Sequence, residues 1–251
     1  MENNNQYRNN INRNNNRKYN SYENTRILIT IATIIMLLII FKKDGMSVLY
    51  SIPALLIALS VHEAAHAYVA NKYGDNTSKG RISLNPFKHI DMLGLLSLLT
   101  IGVGWGKPVS IDPRNFSGSK KRMDQIEAKV AFAGPLSNIL TALIFSLIMV
   151  LCIKMGAITD TLYTILFQIV VTNIGLGLFN LIPIPPMDGY KIFRPLLSEN
   201  IKTFLDKNEE IIGFIWILII ASGVNLNFIS IGIKSISTFM FKLWLTIFGV
   251  V

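Results

Sequence analysis

Apolar and polar positions in this chain fall into long blocks rather than short periods. Nearly unbroken apolar runs occupy 27–41, 48–70, 130–153, 162–183, 211–229 and 231–251, with polar, Gly- and Pro-containing stretches between them. A bilayer core of about 30 Å is crossed by a helix of about 20 residues, so most of these runs are long enough to span it. The pattern predicts an all-α polytopic membrane protein with about six transmembrane helices. The run at 27–41 is short, but Arg26 and Lys42 flank it and can snorkel, and no small-x-small cleavage site follows; it reads as a retained anchor rather than a signal peptide. The run at 231–251 carries Lys234 and Lys242 and suits either a sixth span or a helix in the interface. Residues 92–103 are apolar but too few to cross, and the glycines Gly94, Gly102 and Gly104 oppose a long helix, so a re-entrant or interfacial segment is expected.

Composition agrees with the block pattern: 51% hydrophobic and only 16% charged residues, with a mean hydropathy of +0.45, belong to a membrane protein rather than a soluble domain. The net charge of +9 does not point to nucleic acid, because Lys and Arg lie between the apolar runs, where they set topology and meet anionic headgroups. The single cysteine, Cys152, sits inside an apolar run and excludes an intrachain disulfide or a cysteine metal cluster. Residues 1–25, Asn-rich and basic, have too little apolar surface to fold and are expected to be a disordered tail ahead of a membrane domain at 26–251. Ile201, Phe204 and Leu205 with Lys202 and Lys207 predict a short amphipathic helix on the membrane surface.

The run at 48–70 is interrupted by three ionisable residues in the order His62-Glu63-Ala64-Ala65-His66. In a helix, residues four apart project from one face one turn apart, so the two imidazoles can share a metal, and zinc is the metal that pair suits. Glu63 stands about 100° round the helix from His62, where its carboxylate reaches a metal-bound water without being a ligand. Charged or polar side chains at membrane depth are costly unless paired, metal-bound or facing a polar cavity, which sets this match apart from a chance string of letters.

A catalytic zinc commonly takes three protein ligands and keeps one position open. If the basic N-terminus is cytoplasmic, the loop at 71–129, with ten Lys and Arg residues, is also inside, as the positive-inside rule requires. The run at 162–183 then returns to the same side and ends in Pro183-Ile184-Pro185-Pro186-Met187-Asp188-Gly189, where the prolines must break the helix. Asp188 arrives near the level of the histidines and is the candidate third ligand; the competing reading is an Asp that caps a helix or turn at the interface. His89 lies beside Lys88 and Asp91 in the loop and reads as an interface or hydrogen-bonded histidine rather than a ligand. Gly134 and Ser137 have the spacing of close helix packing. The extended, Pro-containing residues around Val109 and Ile111 suit either an edge strand that pairs with an unwound peptide or a plain connecting hairpin.

Several stretches, in order and spacing, resemble the site-2 protease family of intramembrane zinc metalloproteases: His62-Glu63-Ala64-Ala65-His66-Ala67, Gly134-Pro135-Leu136-Ser137-Asn138, and Asn180 through the Pro-rich stretch to Asp188-Gly189. The stretches 80–91 and 104–109, continuing to 113–116, resemble its compact bacterial branch, and the likeness covers about 48–197. The resemblance implies that His62, His66 and Asp188 bind Zn2+, that Glu63 activates water, and that Asn180 holds the substrate carbonyl or the oxyanion, with Asn138 a weaker candidate for the same neighbourhood. It implies a membrane-anchored protein as substrate, cut in or near its span inside the lipid bilayer, and the charge pattern predicts a multi-pass protein of the cell membrane with its N-terminus and active site toward the cytoplasm. Met92 and Tyr190 depart from the branch, which often has Pro and Gly there. No PDZ or nucleotide-sensing domain is recognisable. The alternatives are a non-catalytic metal-binding or metal-transport protein, for which Glu63 has no use, and a scaffold that holds membrane clients.

Overall fold

The computed structural model describes residues 49–91, 94, 106–116, 119–222 and 227–249. The expected tail, the run at 27–41 and most of the segment at 92–103 lie outside these residues. Helix α1 runs Leu49–Lys72. It stops at Gly74, whose φ of 104° is open to glycine at little cost, and the N–H groups of Gly74 and Asp75 close back on the carbonyls of Asn71 and Ala70. Helix α2, Lys120–Lys154, is about 50 Å long at 1.5 Å per residue, longer than the hydrocarbon core, and α3, Asp160–Asn180, starts where the Thr159 side chain accepts from the Leu162 N–H. The prolines after Asn180 prevent α3 from continuing. The short α4, Asp188–Phe193, the amphipathic α5, Glu199–Lys207, and α6, Glu209–Ala221, lead to α7, Asn227–Phe248.

Four helices among the described residues, α1, α2, α3 and α7, are long and apolar enough to cross a membrane. The run at 231–251, for which the sequence leaves two readings, thus falls in a helix of spanning length. The run at 211–229 does not form the single span expected: its helix ends at Ala221 after 13 residues, about 20 Å. Gly213 abuts Pro186, and Gly232 abuts Leu178. Pro186 lies in the loop after α3 and Leu178 near its C-terminal end, so an early residue of α6 and one of α7 both pack near that end of α3. Apolar composition alone does not distinguish such an arrangement from a crossing.

The expected β-hairpin is not formed among the described residues; one antiparallel bridge joins Ile90 to Gly106. Side chains have taken the groups a ladder would need. Arg81 donates to the carbonyls of Lys107 (2.5 Å) and Pro108 (3.3 Å), Ser78 donates to that of Ser110, Pro108 has no N–H, and the Val109 N–H is bound to Glu63. Buried Asp75 ties the same loop together by accepting from the N–H groups of Thr77 and Asp112 and from the Asn115 amide. Burial opposes ionisation of Asp75, but these hydrogen bonds hold its carboxyl below the usual range.

Two apolar clusters fix the spans. Ala70, Phe116, Ile126 and Val130 lock the end of α1 and its loop onto the start of α2. Ala142, Val170, Ile174 and Met240 join α2, α3 and α7.

Candidate metal centre and catalytic cleft

His62 and His66, one turn apart on α1, bring their rings to 4.6 Å between centroids. Asp188, the first residue of α4, points Oδ2 at both: 3.0 Å from His62 Nε2 and 3.2 Å from His66 Nε2. The three side chains form a group whose ligand atoms all lie within 4.8 Å of one another.

The hydrogen bonds behind the histidines assign their tautomers. Asn173 donates to the Ile169 carbonyl (2.8 Å), so its amide oxygen faces Asn138. Asn138, fully buried, gives its two N–H groups to that oxygen (2.9 Å) and to the Ala58 carbonyl (3.0 Å). Its own oxygen is then left for His62 Nδ1, at 2.6 Å, and Nδ1 must be the donor. His66 Nδ1 meets the Val130 carbonyl at 2.7 Å and must donate as well. In the neutral imidazoles that metal ligation requires, both Nε2 atoms then present lone pairs to the buried Asp188 Oδ2. Three acceptors converging with no proton between them repel one another unless a cation lies among them. Zinc ligands about 2.0 Å from the metal in a tetrahedron stand about 3.3 Å apart, and the two imidazole–carboxylate distances of 3.0 and 3.2 Å match that spacing in a donor set that suits Zn2+.

Glycine is needed where helices approach this group. A Cβ on Gly134 of α2 would collide with His66 Nε2 and stand 2.7 Å from His62 Cε1. One on Gly189 would collide with the Ile182 carbonyl oxygen, so α4 could not begin at Asp188 with a larger residue at 189. Of the two small residues with helix-packing spacing, Gly134 makes room for the histidine rings, while Ser137 packs α2 on α1 by donating to the Val61 carbonyl at 3.2 Å.

A network on α2, α4 and α5 holds α4 in place. Arg194 donates to Asp124 at 2.6 Å and to Asp206 at 3.0 Å, and Lys202 donates to Asp124 at 3.0 Å. Tyr190 donates to Asp206 at 2.5 Å, which gives the departure from Gly at 190 a structural role. Burial, then the bond to Asp206, pushes the Tyr190 hydroxyl up to about 12. Burial works against ionisation of Asp206, but the donors Arg194 and Tyr190 keep its carboxyl low.

A cavity of about 350 Å³ opens beside the group, its apolar wall including Leu59, Val109, Ile111, Val130 and Phe179. Glu63 lines it, with Oε2 held at 2.9 Å by the Val109 N–H. Asn180 lines it too, its amide donating to the Leu176 carbonyl at 3.0 Å and keeping a second N–H. His89 lies apart as a buried hydrogen-bonded residue: Nε2 meets the Ser83 carbonyl at 2.7 Å, Arg81 approaches Nδ1 at 3.4 Å, and burial holds its pKa down. Sequence reasoning missed Asn173 and the Val130 carbonyl and placed Asn138 only roughly. Buried amides inside apolar helices were the available signal.

Residues 148–224 match the family profile described as Peptidase family M50. A Bacillus subtilis protein named "Putative zinc metalloprotease YwhC" is 38% identical over 181 residues, 68% of this chain and 79% of that protein. The chain belongs to peptidase family M50, the site-2 protease family. A second relative, "Zinc metalloprotease MJ0392" of Methanocaldococcus jannaschii, is 29% identical over 181 residues, covering 69% of this chain but only 43% of its own length. A third, "Putative zinc metalloprotease MJ0611" of the same organism, is 29% identical over 165 residues, 64% of this chain and 80% of that protein. No solved structure matches the chain. Family membership and the four apolar helices make this M50 peptidase an integral membrane zinc metalloprotease.

Proposed function

We propose that His62, His66 and Asp188 hold one catalytic Zn2+, that Glu63 is the general base, and that the enzyme hydrolyses peptide bonds in or near the span of membrane-anchored proteins. The observation that carries this is the unpaired Asp188 Oδ2 facing two Nε2 lone pairs, with Glu63 in the adjoining cavity. A zinc there supplies Lewis-acid polarisation of a carbonyl and a water acidic enough to give up its proton near neutral pH. Asn138 and the Val130 carbonyl orient the two rings. Glu63, steadied by the Val109 N–H, takes the proton from the attacking water and later delivers it to the leaving amine. Asn180 offers its remaining N–H to the oxygen that gains charge. The apolar cavity wall keeps bulk water out, and the extended residues 107–111 offer backbone to a substrate segment that has unwound.

The basic N-terminal tail and the basic 71–129 loop support a cell-membrane protein with its active site toward the cytoplasm. The clustering of every candidate ligand at one end, next to a general base, favours hydrolysis over metal transport. The test is cleavage of single-span substrates in liposomes by wild type, Glu63→Gln and Asp188→Asn, with bound zinc quantified in each. Chelator-sensitive cleavage by wild type, zinc retained without cleavage in Glu63→Gln, and loss of both in Asp188→Asn are expected. Undiminished cleavage by Glu63→Gln would remove the general base from the mechanism.

A further inference from the structure

Glu127 is a third carboxylate in the catalytic cleft, besides Glu63 and Asp188, and the mechanism above has no use for it. It lies on α2 with Val130, Ala131 and Gly134, at intervals of three and four residues that put all four on one face. Glu127, Val130 and Ala131 line the cavity, and Gly134 abuts the histidines. Glu127 is half-buried and makes no hydrogen bond or ion pair with the described residues. Arg194, whose charge reaches it, is already bound to Asp124 and Asp206. Lys191, one turn after Asp188 on α4, also lines the cavity, and its charge acts on Glu127 ahead of that of Arg194, although the two side chains form no ion pair. A partly desolvated carboxylate with no donor of its own is a site for a cationic ligand.

We propose that Glu127 is a specificity subsite that takes a Lys or Arg side chain of the substrate and so sets where the peptide bond is cut. The inference rests on the intramembrane protease reading and on its cytoplasmic orientation. Membrane-anchored proteins carry Lys and Arg on their cytoplasmic flank, the side from which α2 enters the membrane in that orientation. Seven residues of helix separate Glu127 from Gly134, about 10 Å at 1.5 Å per residue. An extended peptide covers that distance in about three residues. The basic residue selected therefore stands about three positions from the scissile bond, on its cytoplasmic side.

The experiment is a set of single-span substrates in liposomes, alike except for Lys, Gln or Glu placed two to five residues from the cleavage position. They are cut by wild type, Glu127→Gln and Glu127→Lys, with zinc content measured for each enzyme. A charge-assisted hydrogen bond makes the Lys substrate better than the Gln substrate by about tenfold or more in kcat/KM for wild type, mainly through KM and most strongly near the third position. Glu127→Gln brings the Lys-to-Gln ratio to about one, and Glu127→Lys turns the preference toward Glu. A wild type indifferent to the substituted residue, or a Lys preference kept by Glu127→Gln, overturns the subsite while leaving the protease reading intact. A wild type that cuts none of the three overturns the protease reading itself and the subsite with it. The wild-type preference needs no variant to fold, so it decides the matter even if both substitutions damage the protein.

Discussion

Along α2 the inward positions Asp124, Val130, Gly134 and Asn138 each meet a polar group or ring of the catalytic end through a side chain or a backbone atom. Those from Ala142 to Val150 mostly meet apolar side chains of α3 and α7. One helix thus serves two regimes. In the first half the contacts are directional, since Asp124 grips Arg194, Val130 orients His66, Gly134 leaves room for both rings, and Asn138 orients His62. In the second half volume matters more than direction, and the polar exception is Ser146, which accepts from Trp244 Nε1 at 2.9 Å. A directional contact fails when one atom is lost, whereas an apolar contact weakens in proportion to the volume lost.

Substitutions in the two halves separate these regimes. Gly134→Ala drives a methyl into His66 Nε2 and is expected to abolish zinc binding and lower cleavage by at least about a thousandfold, checked by elemental analysis beside the cleavage assay. Asn138→Leu removes the acceptor for His62 Nδ1 and frees the ring to change tautomer. Zinc affinity is expected to fall about 10- to 100-fold, measured by competition with a chelator. His66 has no corresponding side-chain substitution, because its partner is a backbone carbonyl. In the far half, Ile174→Val is expected to cost about 1 kcal/mol of stability in a detergent unfolding assay, with zinc affinity and kcat unchanged.

The smallest effect belongs to pH. The folded-state pKa of Asp206 lies below its ordinary value, so its contribution to stability is complete above about pH 4 and is lost as pH falls through the lower folded value. Its side chain is 44% exposed, and solvent screening limits the contribution to less than about 1 kcal/mol. Asp206→Asn should flatten the acid limb of the stability profile by that amount and leave neutral-pH zinc binding nearly unchanged.

The difference between the halves also explains what was legible in the chain. His62, Glu63 and His66 could be placed together because helix geometry fixes their relation within one turn, and Asp188 because the order of apolar runs returns it to the same side. Asn138 and Asn173 meet across helices, 35 residues apart in sequence, and the carbonyl of Val130 has no letter of its own, so those partners needed the fold. The shortness of α6 was hidden because an apolar run reads alike whether it crosses or ends early. Among the described residues the expected hairpin does not form, and Arg81, Ser78 and Glu63 bind backbone groups of residues 107–110 that a paired strand would use. Nothing in an alternating pattern shows that competition in advance.

The most direct test of the ligand set is zinc X-ray absorption on the purified enzyme in detergent, compared with Asp188→Asn. The expected spectrum has two imidazoles, at least one further oxygen and no sulfur at about 2.0–2.1 Å, and in Asp188→Asn the metal is lost or its shell changes. A sulfur from Cys152, a third imidazole that disappears in His89→Ala, or a shell identical in Asp188→Asn would contradict a centre built from His62, His66 and Asp188.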